Sequence, residues 1–298
     1  MPQKQYKHRP HFEHLKNKWT EEQKSLQKTL QEKHKDAFEW INHRYKQFMV
    51  GSLGSLVMLT HPVTVAVAAQ PMVAQHQEAP VEKPAYTKEQ LVHDLSYLLP
   101  DSVQPLTETQ EKVVTATLTR HFNLPVTPVL QGKRLNRSYG LIGAEQHLMR
   151  YPGDTMDSHF ATPQEANTFY SSGMAPGRGA WGYFASSQAA MTEKDVSREK
   201  YYIAVQTFLS PGFNENVKDH YEFFKYRKML VLNPENGKAL IADIGDAGPA
   251  AWTGKHLGGS PEVMSYLERQ DGAAKGPVLY FFIDDPDDTI PLGPIQVQ

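Results

Sequence analysis

The sequence predicts a mainly β domain with helical additions, carried behind a long amphipathic helix and a short apolar segment. From Leu124 onward, short apolar runs are punctuated by Pro and Gly, the texture of a β-rich domain with long loops. Lys225 to Leu232 and Lys238 to Ile244 are two such runs joined across Asn233-Pro234-Glu235-Asn236-Gly237. Asn236-Gly237 is a pair able to take left-handed backbone, so a hairpin is expected there. Residues 11 to 46, by contrast, repeat apolar side chains mostly at spacings of three, four or seven (Phe12, Leu15, Trp19, Leu26, Leu30, Phe38, Ile41, Tyr45), which predicts a helix.

The helical arm, residues 1–46, carries eleven Lys/Arg against six Asp/Glu, while the whole chain has 31 against 33. The near-neutral total therefore combines a basic head with an acidic body. A solvated helix is the first reading of the arm, and contact with anionic lipid or nucleic acid the second; no nucleic-acid partner is expected. His11 and His14 share a helical face, but no third ligand lies near them, so no metal is expected. Residues 47–69 follow Arg44 and Lys46 with an apolar run, His61-Pro62, and a small-residue stretch containing Ala66-Val67-Ala68. This is the order of a secretory signal, and the run is also long enough to anchor in a membrane if uncleaved. Both readings place the remainder outside the cytoplasm. Residues 70–84, rich in Pro, Gln, Glu and Ala, form a linker.

Residues 85–298 then open with two helices, near Lys88 to Leu98 and Thr107 to Phe122, the second with an apolar stripe of Val113, Val114, Leu118 and Phe122. Tyr201 to Phe208 and Val278 to Ile283 are further strands. Ser260 is a helix cap followed by Pro261 at the first position and by Glu262, favourable to the helix dipole. The chain has no cysteine, which excludes a disulfide framework, a thiolate metal site and a Cys nucleophile. No Gly-x-Ser-x-Gly elbow and no His-Glu-x-x-His is present.

The run Asn236-Gly237-Lys238, Ile241, Ile244, Asp246 and Gly248-Pro249, with Ser260-Pro261 after it, resembles the double-psi β-barrel family of the rare lipoprotein A-like, expansin-like and barwin-like group over roughly residues 225 to 283. In that family a strand ends on Asp-Arg-Gly-Pro and leads to an Asp-Leu-Ser helix start; here Ala247 stands at the Arg position and Gly258-Gly259-Ser260 at the Asp-Leu-Ser. The resemblance implies a six-stranded double-psi β-barrel, about 160–285, in an exported envelope protein that acts on peptidoglycan or another cell-wall polysaccharide. It also implies either lytic transglycosylase chemistry or a non-catalytic glycan-binding role. In lytic transglycosylases with this barrel a single Asp serves as acid and then base, so the resemblance assigns the catalytic role to Asp246.

The residues support that assignment independently. A carboxylate at a strand end beside Ile244 and Trp252 is open to desolvation, which raises its pKa toward the range of an acid catalyst; the alternative is a structural carboxylate accepting amides in its own turn. Tyr170, Trp181, Tyr183 and Trp252 are candidate sugar-stacking rings, with Arg178 as a carboxylate clamp in the Gly-rich run Gly173 to Tyr183. For Trp181, filling the barrel end is an equal reading. That run has no Lys-Ser/Thr after it and is not a nucleotide loop, so no cofactor is expected. His147, His159 and His220 read as ordinary polar histidines, and Asp284, Asp285, Asp287 and Asp288 as an exposed acidic turn without the pattern of a calcium loop.

Overall fold

A computed structural model describes residues 86–269 and 275–298, all within the unit Ala79–Gln298. The expected arm, the signal or anchor at 47–69 and the linker lie outside the described residues. Two helices come first, α1 (Lys88–Leu98) and α2 (Glu108–Phe122). Thr87 and Thr107 cap them, each in a capping box with a Gln three residues on, which satisfies amide donors that a helix start leaves unpaired. After the two-residue strand β1 (Val126–Thr127) come β2 (Tyr139–Ala144), the short helices α3 (Met156–His159) and α4 (Pro163–Phe169), and α5 (Glu193–Lys200). The chain continues through β3 (Tyr202–Val205), α6 (Val217–Phe224), β4 (Lys228–Leu232), β5 (Ala239–Ala247), β6 (Leu257–Gly259), α7 (Pro261–Tyr266), β7 (Gly276–Ile283) and β8 (Gly293–Ile295).

Six of these strands close into a mixed β-barrel in the order β7-β2-β6-β3-β5-β4, with β4 returning to β7. The β2–β6 and β3–β5 pairs are parallel and the other barrel pairs antiparallel. The hairpin across Asn236-Gly237 is present, with Lys228 opposite Asp243 and Leu232 opposite Ala239. The barrel begins earlier than the expected residue 160, because β2 starts at Tyr139. Tyr201 to Phe208 is a strand only through Val205; Gln206 turns away and donates its side-chain amide to the carbonyls of Pro249 and Lys255.

Alternation along β4, β5 and β7 divides two apolar clusters. Met229, Val231, Leu240, Ala242, Ile244, Val278, Tyr280 and Phe282 point into the barrel. Leu230, Leu232, Ile241, Leu279, Phe281 and Ile283 point outward, where Leu91 and Leu95 of α1 and Val114, Leu118 and Phe122 of α2 cover them. Burial on both faces explains why these strands read as continuous apolar runs. Among the described residues, no helix is long and apolar enough to cross a membrane.

The expected cap at Ser260 is fully buried. Its Oγ accepts the Val263 amide at 3.2 Å and donates to the Lys200 carbonyl at 2.7 Å. Ser260→Ala should therefore cost about 1–2 kcal/mol of stability by urea denaturation; an unchanged midpoint would refute a structural role for the cap.

Candidate functional site

Asp246 is the penultimate residue of β5, which ends at Ala247. The register of β3 against β5 slips between Ile203 and Ala204, so Ala204 faces Asp246. Just before it, a Cβ at Gly245 would lie 2.6 Å from the Cβ of Tyr202, and only a residue without a side chain lets the strand pass. The Asp246 carboxylate is half-buried. Its Oδ1 accepts the Ala180 amide at 2.7 Å and the Ala247 amide at 2.8 Å, whereas Oδ2 has no hydrogen-bond partner among the described residues. Burial pushes the carboxyl above its usual range, and the two amides oppose part of that rise.

The predicted aromatic platform is dispersed. Trp181 is buried in the barrel core, donates its indole N–H to the Ile244 carbonyl at 2.8 Å and meets Tyr221 edge-on at 4.6 Å. Of its two readings, filling the barrel end is the one this position serves. Trp252, in a single 3₁₀ turn after Asp246, is 88% exposed. Tyr170 is exposed and donates to Asp157 at 3.0 Å. The Arg178 guanidinium lies 5.6 Å from the centre of the half-buried Tyr183 ring. The acidic turn is occupied by lysines: Lys228 contacts Asp285 at 2.7 Å and Asp288 at 2.6 Å, and Lys194 also bonds Asp288.

A second constellation lies at the start of β3. His147, His159 and Glu199 are buried together, with one ligand-type atom of each within 4.8 Å of the others. Glu199 Oε2 is 3.0 Å from His159 Nε2, and Oε1 accepts the Leu148 amide at 3.0 Å. Oε1 is also 3.4 Å from His147 Nδ1, out of hydrogen-bond alignment. On its other side His159 Nδ1 meets Asp154 Oδ2 at 3.3 Å, and Arg150 clamps Asp154 through Nε at 2.8 Å and Nη2 at 3.0 Å. Glu262 Oε2 lies 4.0 Å from His147 Nδ1. A cavity of about 330 Å³ opens over His159, Glu199 and Glu262, with Phe160, Met191 and Lys200 among its other walls.

Charges in this cluster divide by environment. Burial pushes Glu199 up, but the His159 bond and the His147 ring 3.4 Å from Oε1 outweigh it and hold the group at about 2. Burial opposes protonation of His159, yet its bonds to Asp154 and Glu199 raise it to about 9. Glu262 has no such partner: burial and then the Glu199 charge push it up to about 7.

The barrel's connectivity assembles these groups. Because β2 and β6 are parallel, both chains leave the barrel on the same side, and His147 follows β2 as Glu262 follows β6. Strand β3 runs antiparallel to β6, so its start, fed by α5, brings Glu199 to the same place. The Gly-rich loop then ties the cluster to Asp246: His147 exchanges backbone bonds with Gly173 and Ala175, and Ala180 donates to Asp246. Tyr202 packs against Gly245, and its hydroxyl bonds the Gln146 carbonyl. The sequence names His147 and His159 but gives no reason to single them out, and Glu199 goes unnoticed. His147 and His159 are 12 positions apart and Glu199 lies 40 beyond His159, a set with no recognisable ligand spacing, and only the strand pairing unites them. No family model matches the chain, and no curated protein matches it.

Proposed function

We propose that this chain is an exported cell-envelope protein whose barrel is of the double-psi type and acts on peptidoglycan or another cell-wall polysaccharide. Asp246 is the acid and then the base on the glycan β-1,4 bond. The observation that carries this reading is the Asp246 carboxylate itself, with one oxygen fixed by two amides, the other without a partner among the described residues, and burial favouring the protonated form. Protonated Asp246 gives its proton to the leaving glycosidic oxygen as the C1–O bond breaks. The resulting carboxylate then takes the proton of the muramic acid 6-hydroxyl as that oxygen bonds to C1, closing a 1,6-anhydro ring and restoring the acid. Residues 47–69, as signal or anchor, deliver the domain across the membrane.

Incubation of the purified protein with purified peptidoglycan, followed by mass spectrometry, tests the reading: 1,6-anhydro-muropeptides are expected. A non-catalytic glycan-binding module is the second reading, favoured by Ala247 at the family's Arg position and by the exposed ring of Trp252. It expects retention on the same glycan with no product. In either case Trp252→Ala should weaken glycan binding by roughly 0.5–1.5 kcal/mol, about two- to twelve-fold in Kd by isothermal titration; unchanged affinity would remove Trp252 from the binding surface.

A further inference from the structure

We infer that His147, His159 and Glu199 form a site for a single divalent transition-metal ion of the zinc class, its open coordination position facing the cavity bordered by Glu262. This goes beyond the glycan reading and does not rest on it. Two imidazoles and one carboxylate are a donor set suited to zinc, whereas calcium and magnesium take oxygen ligands. Metal–ligand bonds of about 2.0–2.1 Å in a tetrahedron put ligand atoms roughly 3.3 Å apart. His147 Nδ1 is 3.4 Å from Glu199 Oε1 and His159 Nε2 is 3.0 Å from Glu199 Oε2, and one ligand atom from each of the three residues lies within 4.8 Å of the others, so side-chain shifts of about 1 Å bring them onto one ion.

Two further features point to a ligand. His147 is completely buried, yet among the described residues neither of its ring nitrogens has a hydrogen-bond partner, and Glu262 Oε2 is likewise buried and unpartnered. An unmade bond at a buried polar atom is costly, and native interiors seldom leave one. The outer groups are also those a ligating histidine uses: Asp154 receives His159 Nδ1, which aims Nε2 inward, and Arg150 fixes Asp154 while bonding the carbonyls of His159 at 2.7 Å and Ser158 at 3.0 Å. The rival account makes His159 an imidazolium bridging Asp154 and Glu199. It explains His159 but leaves the nitrogens of His147 and the oxygen of Glu262 unsatisfied.

The test uses the full chain, stripped with a chelator and titrated separately with zinc, cobalt(II), magnesium and calcium chlorides. One zinc or cobalt ion per chain should survive gel filtration, cobalt giving the visible absorption of a low-coordinate site, and neither magnesium nor calcium should be retained. His159→Gln and Glu199→Gln should each weaken zinc binding at least 100-fold, and Asp154→Asn, a positioning change, by about 10-fold. Because these buried changes can unfold the chain, imidazole ¹⁵N spectra of the unaltered protein give an independent reading: zinc should remove the proton from His159 Nε2 and shift a His147 nitrogen. If no zinc is retained and both His159 nitrogens stay protonated, the cluster is a buried ion pair and the inference is overturned. Equal retention of calcium or magnesium would overturn it as well.

Discussion

Asp246→Asn is expected to reduce release of 1,6-anhydro-muropeptides by about 10²–10⁴-fold, leaving at most a few per cent of turnover, with little change in folding or glycan affinity. The expected separation of activity from stability follows from the bonding. Asn keeps an oxygen where Oδ1 accepts the Ala180 and Ala247 amides, so the end of β5 and the Gly-rich loop remain tied together. What it replaces is Oδ2, the position that carries and returns the proton. Asn also removes the carboxyl that burial holds above its usual range, so any stability change should be neutral or favourable near pH 7. The measurement is mass-spectrometric product release from peptidoglycan, with thermal melting and a glycan pull-down on the same preparations. Equal product from both proteins would remove Asp246 from the chemistry.

How much of this was legible in the sequence depends on the range over which each feature is encoded. The cap at Ser260 and the Asn236-Gly237 turn are written within four or five residues, and the structure has both. Strands β4, β5 and β7 are legible because burial on both faces leaves an unbroken apolar run. Strands β2 and β6 were not. Tyr139–Ala144 and Leu257–Gly259 are short and glycine-bearing, and close neighbours demand those glycines: a Cβ on Gly258 would meet the Glu145 side chain at 2.4 Å. Missing β2 and β6 also conceals the His147, Glu199 and Glu262 cluster, since their parallel pairing is what brings it together. The place of Asp246 at the end of its strand is legible because it is local to that strand, while the Ala180 amide that fixes it comes from a loop 66 positions away. Trp181 and Trp252 look alike in sequence, and only the fold separates a core ring from an exposed one.

The pH dependence of stability should carry a clear signature of Asp243. This side chain on β5 is 1% exposed, its Oδ2 accepts from Arg198 Nε at 3.1 Å, and its Oδ1 is buried without a partner. Burial raises its pKa from 3.8 to about 6, and Arg198 offsets only part of the rise. Between those values the folded chain holds a proton that the unfolded chain has released. Stability due to this group is therefore fully present below about pH 4 and is lost as pH rises through 6, a change of roughly 3 kcal/mol. Asp285 acts on the other side: burial raises it, but Lys228 and the Ile290 and Thr289 amides bring it to about 2, so its contribution is lost only below pH 4. Glu262, raised to about 7, slopes in the same direction as Asp243 but does so in wild type and variant alike. The difference between the two proteins thus reads Asp243 alone. Asp243→Asn should gain on wild type by roughly 3 kcal/mol between pH 4 and pH 7 in urea denaturation, a shift of about two powers of ten in the folding equilibrium. Arg198 limits the loss in the variant, because it is partly exposed and packs over the Tyr226 ring at 4.3 Å, where water and the ring face still stabilise its charge. Parallel stability profiles for the two proteins across that interval would show that Asp243 is charged in the fold, with Arg198 compensating its burial in full.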